Sequence, residues 1–555
     1  MKSLELASKK GSTFSMIIAL VLVLSMVLTG CGSNTGQSGV SNNSTNKETS
    51  SPNDTTTNSN EPIKDGTIIV ALSTDISTLD PSREGGWETY LVNKNVHESL
   101  VKEDLTKSSE ESPTAPIIPG LAESWDISED GRTYTFHLRQ GVKFQDGADF
   151  NAEAVEFNVR RAWDKSFEYF DEASSIMMSR TYHDLKEVKS IDTNTVSLTF
   201  NNPYPALLRL LAQGSGGSGL IASPEAIKTY GNDGYGEHPS GTGPYQLEER
   251  VIGEKIVLTR NEGYWGEQPY NKKIIFRPIS DNNARVAALR TGEVDIIQNP
   301  PVDSLAQLEA EGFLVPQADL PIVYYLTLNT ANEYLQDVKV RQAITLAIDR
   351  ESLAKDLLNG YAIPAYSAVN AGSEIYDPQY KPFQYDVEKA KQLLTEAGYP
   401  DGLELTLQTY LGTESYVEWI QRDLEKVGVK VKIETYDYNT FGSLRFMSPD
   451  VGINTMDWGF VTPYWLYIVG YSSSTGRYGN YASANFDKAV DLAMNEVDYD
   501  QSLEYWKQAR DVIDEDAAIV PLFSNRTLVA VSSKVKGFVL PSQNWYDLET
   551  VWLEE

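Results

Sequence analysis

The sequence predicts a mixed α/β protein with two α/β lobes, because two stretches show the strand–helix–strand order of parallel sheets. The first places a strand at Lys273–Pro278, a helix at 283–290 and a strand at 294–297. The second places a strand at 403–407, then a helix, and then a strand that begins at Val429. A chain of 555 residues is also too long for one small core, so at least two lobes are expected.

Turn and strand signals follow one another closely in the first 200 residues. The apolar run Thr67–Leu72 predicts a buried strand, and Leu79-Asp80-Pro81 after it predicts a turn. Apolar residues alternate along Thr133–Leu138, and Asp130-Gly131 just before it suits a tight hairpin turn. Asn151 is placed as the N-cap of a helix. These signals predict a hairpin-rich insertion at about residues 102–202.

The first thirty residues have the pattern of a secretion signal. Lysines precede an apolar run at 16–28 that is short for a membrane span. The run ends in Leu28-Thr29-Gly30-Cys31, which resembles the bacterial lipobox, where a peptidase cuts before a cysteine that carries lipid. Cys31 is the only cysteine, so we predict lipidation there and no disulfide within a monomer. Residues 31–60, mostly Ser, Thr, Asn and Gly, predict a disordered tether.

The charge of the chain argues against several partners. Its 47 Lys and Arg residues stand against 78 Asp and Glu residues, a formal net charge of -31. A surface of this sign repels nucleic acid and anionic lipid heads, so contact with the membrane is expected through the lipid anchor alone.

Signatures of catalysis are missing from the sequence. It has no Gly-x-Ser-x-Gly elbow, no Walker phosphate loop and no His-Glu-x-x-His pair. Its four histidines do not lie at metal-ligand spacing, so we expect no metal site and no cofactor. Glycines at 214, 216 and 219 match a dinucleotide pattern, but they follow a helix-like run at 207–211 and predict a loop. The sequence therefore predicts a binding protein and not an enzyme.

Aromatic residues are the positive signal. The chain has 31 Tyr and 10 Trp, and many of them gather between Trp458 and Tyr481. Amphipathic rings can line a cleft and hold a small ligand by stacking, although they also serve as core residues.

A series of different short motifs runs along the body of the chain. They are Leu79-Asp80-Pro81, Leu121-Ala122-Glu123-Ser124-Trp125, Glu129-Asp130-Gly131, Leu138-Arg139, Phe144-x-Asp146-Gly147, Gly241-Thr242-Gly243-Pro244-Tyr245, Arg260-Asn261-x-x-Tyr264-Trp265-Gly266, Ala288-Leu289 to Gly292-Glu293-Val294-Asp295, Val340-Arg341-Gln342-Ala343-Ile344, and Ala390-Lys391 to Ala397-Gly398-Tyr399. In this order they resemble the peptide/nickel/opine class of ABC-transporter substrate-binding proteins, the family 5 solute-binding proteins. The resemblance covers about residues 64–552.

The resemblance implies a two-lobed, periplasmic-binding-protein-like fold with an inserted subdomain and a ligand cleft between the lobes. Hinge bending would close the lobes over the ligand. The resulting division is 1–30 signal peptide, 31–60 tether, 61–101 first lobe, 102–202 inserted subdomain, 203–325 first lobe, 326–516 second lobe and 517–555 first lobe again. A monomer is expected.

The resemblance also implies which residues bind the ligand, since its backbone pairs with one segment from each lobe. The implied ligand-binding residues are Glu84, Gly85, Gly86, Trp458, Gly459, Phe460 and Tyr464. Peptide binders of the class carry an aspartate three residues after the tryptophan, where Val461 stands here. Asp457 precedes the tryptophan but should point to the opposite face of an extended strand. The arginine that nickel-type members use is replaced by the Gly/Ser loop at 214–219.

The predicted function is that of an extracytoplasmic, lipid-anchored substrate-binding protein that captures peptides and delivers them to the permease of an ABC importer. A nickel or metal–metallophore chelate and an oligosaccharide are the alternative ligands for the same fold. A secreted hydrolase and a peptide-sensing receptor are rival functions. The sequence singles out no pair of carboxylates for hydrolysis.

The lipobox leads to the first testable expectation. Acyl chains are attached through the thiol of Cys31, so Cys31→Ser should leave the precursor unprocessed or release the protein into the medium. Detergent phase partitioning of parent and variant measures this difference. A variant that enters the detergent phase as fully as the parent would contradict the predicted anchor.

Overall fold

The structure is a computed structural model that describes residues 63–554 except 85, 108–113, 213–218, 445–447, 460–461, 475–476, 478 and 542–544. All described residues belong to one unit, which covers residues 59–555. The predicted signal peptide, the tether and Cys31 lie outside the described residues.

A long mixed sheet and a separate four-stranded sheet organise the chain. The strands are β1 (Thr67–Leu72), β2 (Val101–Glu103), β3 (Ile117–Pro119), β4 (Ala122–Ile127), β5 (Thr133–Leu138), β6 (Leu185–Asp192), β7 (Thr195–Phe200), β8 (Tyr245–Val251), β9 (Lys255–Arg260), β10 (Lys273–Pro278), β11 (Ile296–Gln298), β12 (Gln317–Leu328), β13 (Ala362–Pro364), β14 (Leu403–Tyr410), β15 (Val429–Tyr436), β16 (Val451–Trp458), β17 (Ile519–Val531), β18 (Val535–Lys536) and β19 (Trp552–Leu553). The long sheet has the order β15-β14-β16-β12-β17-β11-β1-β10-β9-β8, with β13 paired to β17. The separate sheet has the order β4-β5-β7-β6.

Helices cover the sheets. They are α1 (Trp87–Asn93), α2 (Ala152–Trp163), α3 (Glu172–Tyr182), α4 (Leu207–Ala212), α5 (Pro224–Gly234), α6 (Asn282–Thr291), α7 (Leu305–Ala310), α8 (Val338–Leu346), α9 (Arg350–Ser352), α10 (Val387–Glu396), α11 (Glu414–Glu425), α12 (Tyr438–Leu444), α13 (Trp465–Gly470), α14 (Ala484–Asn495) and α15 (Tyr499–Glu515). Short 3₁₀ turns lie at Leu105–Lys107, Tyr235–Glu237 and Val302–Ser304, and a π-helical turn lies at Leu353–Leu357.

The first lobe is built on β1, β10 and β11, which are parallel, with β8 and β9 added at the edge. Alternation along β1 sends Ile68 and Val70 into one core and Ala71 into another. The first of these cores also receives α1 and residues 545–551, and the second receives α6 and α7. The strands are apolar on both faces because both faces are covered.

The second lobe is built on β14, β15 and β16, which are also parallel. One face of these strands packs on α8, α10 and α11. The other face packs on α13, α14 and α15, in the same apolar cluster as the four-stranded sheet and α2. We call β4–β7 with α2 and α3 the inserted subdomain. It is therefore in apolar contact with the second lobe.

Local sequence signals set several of these elements. Asn151 caps α2 by accepting a hydrogen bond from the Ala154 amide, and Asp337 and Asp386 cap α8 and α10 in the same manner. Gly131 has a φ of 66° at the β4–β5 turn, a left-handed conformation that glycine adopts without strain. The predicted α/β class and the inserted hairpins are confirmed, while the exact lobe boundaries remain predictions.

Glu98 joins two of the sequence motifs named above, the one that contains Thr242 and the one that contains Tyr264 and Trp265. Its carboxylate accepts hydrogen bonds from Thr242 (2.8 Å), Tyr264 (2.9 Å) and the indole of Trp265 (2.7 Å). A Cβ at Gly241 would lie 2.1 Å from a backbone carbonyl oxygen, so this position requires glycine. These motif residues are accordingly structural, and they fix the first lobe.

A buried carboxyl in the second lobe makes the stability of the fold depend on pH. Asp514 is 3% exposed and accepts hydrogen bonds from Ser367 (2.5 Å) and the amide of Ala368 (2.8 Å). Burial raises its pKa from 3.8 to about 7, against the opposing effect of those hydrogen bonds. The folded protein therefore binds one proton more than the unfolded chain between these two pH values.

Because the folded pKa is the higher one, this contribution to stability is complete below about pH 4 and is lost as the pH rises through 7. We expect Asp514→Asn to reduce the fall in unfolding free energy between pH 5 and 7.5 by on the order of 1–3 kcal/mol. Urea unfolding at the two pH values measures it, with the exposed Asp149→Asn as control. An identical fall in parent and Asp514→Asn would contradict the expectation.

Candidate functional site

The carboxyl ends of parallel strands are the usual place for a ligand in an α/β fold. In the second lobe these ends carry Tyr410 of β14, Tyr436 of β15 and Trp458 of β16. In the first lobe they carry Leu72 of β1 and Gln298 of β11, along with the end of β10. Each lobe thus presents one edge at which a ligand can bind.

Strand β17 shows that the two edges face each other. Trp458 at the end of β16 is paired with Val323 of β12, and Val323 is in turn paired with Ser524 of β17. Gln298 at the end of β11 lies level with Val529 of β17, and β11 runs in the opposite direction to β16. Ser524 and Val529 thus mark the levels of the two strand ends on β17, and five residues, a distance of about 17 Å, separate them. The central strands β12 and β17 cross this gap and form its floor.

The two segments predicted to bind ligand follow these edges. Glu84 and Gly86 lie in the loop between β1 and α1, and Gly459 and Tyr464 lie in the loop between β16 and α13. Gly85 and Phe460, which belong to the same prediction, lie outside the described residues, as does Val461. The structure therefore brings one predicted segment from each lobe to opposite sides of the gap. Their roles in binding remain predictions.

A buried ion-pair network fixes the loop of the first lobe. Arg161 of α2 contacts Asp80 at 2.6 Å, and these two residues are 1% and 0% exposed. Arg161 also donates a hydrogen bond to the hydroxyl of Ser82 (3.1 Å). Arg83 binds both carboxylate oxygens of Asp171, at 2.9 and 2.6 Å. Although burial opposes ionisation, the Arg83 guanidinium holds the pKa of Asp171 at about 2.

Helix α3 joins the two sides of the gap. Near its amino-terminal end, the hydroxyl of Ser174 lies 2.8 Å from that of Ser82 in the first-lobe loop. Just after its other end, the ring of His183 has a nitrogen 3.2 Å from the hydroxyl of Tyr464. The nine residues from Ser174 to His183 rise about 14 Å along a helix, which is comparable with the distance along β17. The inserted subdomain therefore forms one wall of the cleft.

Trp458 and Asp457 lie on opposite faces of β16, as the alternation of an extended strand requires. Trp458 is half-buried and packs against the core that contains Tyr325 and Trp465. Asp457 accepts a hydrogen bond from the hydroxyl of Tyr410 (2.8 Å). The indole ring and the carboxylate thus reach the second-lobe edge from different sides of the sheet.

A tyrosine cluster surrounds Asp457. The rings of Tyr324 and Phe523 stack with centroids 4.7 Å apart, and Tyr416 packs against both. Burial, and then the charge of Asp457, raises the pKa of Tyr324 to about 12 and those of Tyr410 and Tyr416 further. These tyrosines are therefore neutral hydrogen-bonding groups at any physiological pH.

Several residues in and beside the predicted segments also make structural contacts. Gly86 is the N-cap of α1, and a Cβ there would lie 3.1 Å from the Glu84 carboxylate. Glu84 itself accepts a hydrogen bond from Ser77. Tyr464 is 4% exposed and sits against the inserted subdomain, and Trp465, at 1%, is a core residue.

Sequence reasoning missed Tyr410, Tyr436 and α3 at this site. Strand β14 runs three residues beyond its predicted end, to Tyr410, and β15 ends at Tyr436. Tyr410 and Tyr436 continue the strand pattern, so a longer alternation window would have found them. Helix α3 has no comparable signal, because its place depends on contacts with residues about 90 and 280 positions away.

Among the residues that the structure describes, no three His, Cys, Asp or Glu side chains are grouped so as to hold a metal ion. No helix in the described part of the chain is long and apolar enough to cross a membrane. Aromatic rings and loop backbone face a gap between two lobes that are joined by two strands, which defines a hinged binding protein.

Comparison with known proteins identifies the family. The family model for bacterial extracellular solute-binding proteins, family 5 (Middle), matches residues 116–480. The chain belongs to this family, which confirms the resemblance seen in the sequence. It is a solute-binding protein.

Individual relatives cover most of the chain. The glutathione-binding protein GsiB of Salmonella typhimurium is 30% identical over 85% of this chain and 91% of its own length. The structure of DppA from Helicobacter pylori in complex with the peptide STSA is 29% identical, has a TM-score of 0.73, and covers 88% of this chain and 98% of its own. HbpA2 from Haemophilus parasuis is 25% identical with a TM-score of 0.79, over 88% of this chain and 100% of its own.

The ion-pair network at the first-lobe loop has a measurable consequence for stability. Asp80→Asn would leave Arg161 buried with one fewer anionic partner, and we expect it to lower the unfolding free energy by about 3–5 kcal/mol. Chemical denaturation measures the loss, and Asp149→Asn, at an exposed ion pair with Lys143, is the control. Equal stability of the two variants would show that the buried pair does not hold the loop.

Proposed function

We propose that this chain captures short peptides outside the cell and delivers them to the permease of an ABC importer. Two comparisons support a peptide ligand: the relative GsiB is named for glutathione, itself a small peptide, and the DppA structure holds the peptide STSA. The observation that carries the proposal is the facing pair of loops at the strand ends, because two backbone segments on opposite sides of a gap suit an extended chain.

The length of the gap fits a short peptide. An extended tetrapeptide spans about 14 Å at roughly 3.4 Å per residue, which is slightly less than the distance between the two strand-end levels. Main-chain hydrogen bonds to the two loops would hold its backbone. Trp458 and the tyrosines at the strand ends would stack on its side chains.

We infer that the protein works from the outer face of the membrane. The signal pattern and Cys31 support lipid attachment there, and the low-complexity segment at 31–60 supports a tether. A tethered monomer could reach a permease while its cleft opens and closes. The acidic surface is not attracted to anionic lipid heads, so the lipid would be the attachment.

Calorimetry with the tetrapeptide Ser-Thr-Ser-Ala tests the proposal. The parent protein should release or take up heat on binding, and Trp458→Ala should weaken binding by about 1–3 kcal/mol, since a half-buried aromatic anchor is lost. That range is roughly five- to more than a hundredfold in Kd. Trp419→Ala is the matched control, because this residue lies in the middle of α11 beneath Arg422 and away from the strand ends.

Parallel titrations with glutathione, a nickel chelate and an oligosaccharide separate the alternatives. Binding of the nickel chelate or the sugar, with none of either peptide, would replace the peptide proposal by the corresponding one. An equal effect of Trp458→Ala and Trp419→Ala would remove Trp458 from the site.

A further inference from the structure

An arginine of α4 joins the first part of the chain to the second lobe. Arg209 donates from Nη1 to the carbonyl oxygen of Ala115 (2.6 Å) and to Oε1 of Glu103 (3.1 Å). Its Nε and Nη2 lie 3.2 and 3.1 Å from Oε1 of Glu374, in the second lobe between β13 and α10. The hydroxyl of Tyr499, at the start of α15, donates to the other oxygen of Glu374.

This cluster is shielded from water. The side chain of Arg209 is 11% exposed, and those of Glu103 and Glu374 are 2% and 6% exposed. Hydrogen bonds between charged groups contribute more when desolvated than at a surface, where exposed ion pairs contribute little. The contact between Arg209 and Glu374 therefore stabilises the arrangement in which the second lobe lies against α4 and β2.

The apolar packing beside the cluster is incomplete. A cavity of about 300 Å³ lies there, lined by Ile117, Tyr134 and Pro205 on one side and by Val497 and Tyr499 on the other. Two of its lining residues, Ile127 and Val497, are 47% and 46% exposed, so it is a surface cleft between the two sides and not an interior void.

We propose that Arg209 and Glu374 form a latch that closes the second lobe onto α4, beside the inserted subdomain, and separates when the cleft opens. The arrangement of partners suits repeated opening. On separation Arg209 keeps Glu103 and the Ala115 carbonyl, while Glu374 keeps Tyr499 and gains water. Neither charge is left buried and alone, which is the condition that makes breaking an ion pair costly.

The other contact network near the cleft has a different role. The pairs Asp80–Arg161 and Arg83–Asp171 join the first-lobe loop to α2 and α3 and do not reach the second lobe. They stay intact during hinge motion, whereas Arg209–Glu374 crosses the moving seam.

Disulfide trapping measures the closed population directly and needs no ligand. Side-chain atoms of Pro203 and Val497 lie 3.3 and 3.2 Å from the same point, the Cβ position beside Gly131, so they are close neighbours across the seam. In the full chain with Cys31→Ser, Pro203→Cys and Val497→Cys would be the only cysteines. Their rate of cross-linking at fixed oxidant reports the fraction of closed molecules.

Adding Arg209→Gln should slow the cross-linking roughly tenfold, since one charge-assisted contact across the seam is lost. Glu374→Gln should slow the cross-linking similarly while leaving Arg209 bound to Glu103. If Arg209→Gln does not fold, the Glu374→Gln variant alone decides the question. Arg160→Gln, which disturbs an ion pair with Asp164 on α2, should have no effect.

Cross-linking at the parental rate in both variants would overturn the latch. A slower rate in Arg209→Gln alone would also overturn it, because Arg209 would then act within its own side. Adding Ser-Thr-Ser-Ala should speed trapping in the parent only if the proposed peptide function also holds. The peptide proposal and the latch can thus fail separately.

Discussion

The buried contact between Asp80 and Arg161 is the constraint on which the cleft depends. Both residues are essentially without solvent exposure, so each charge requires the other. This ion pair anchors the turn that follows β1 to helix α2. In the same turn, Arg83 and Ser82 contact residues at the start of α3. The position of the first-lobe loop that is predicted to bind ligand, and that of α3, therefore follow from a single ion pair between the first lobe and the inserted subdomain.

The second constraint is the pair of central strands. β12 and β17 run through both lobes, and their register shifts between Asp319 and Val323, within the span that separates the two strand-end levels. A bulge weakens the ladder locally and changes the twist of the strands. This is where bending would disturb the fewest backbone hydrogen bonds. Closure then brings contacts such as Arg209–Glu374 together.

The sequence predicted what is local and missed what is distant. The bounds of β1, β5 and β10 match their predicted runs, because alternation and turn residues are encoded within a few positions. The motif residues could be recognised but not explained: Asp80 acts through a partner 81 residues away, and Thr242 acts through Glu98, 144 residues away. Nothing in the local sequence indicated a role for Arg209, because its partners lie 106 and 165 residues away.

The arrangement of the cleft bears on how selective its binding can be. Trp458 and Asp457 leave β16 on opposite faces, so a ligand stacked on the indole ring does not meet the Asp457 carboxylate on the same side of the sheet. That carboxylate already accepts a hydrogen bond from a tyrosine that stays neutral. Under the peptide function proposed above, recognition would depend mainly on loop backbone and on aromatic faces, which do not distinguish one side chain sharply from another. Such a site favours a ligand by its extended backbone and its length, and a contact such as Arg209–Glu374 would stabilise the closed form whatever side chains the ligand carries.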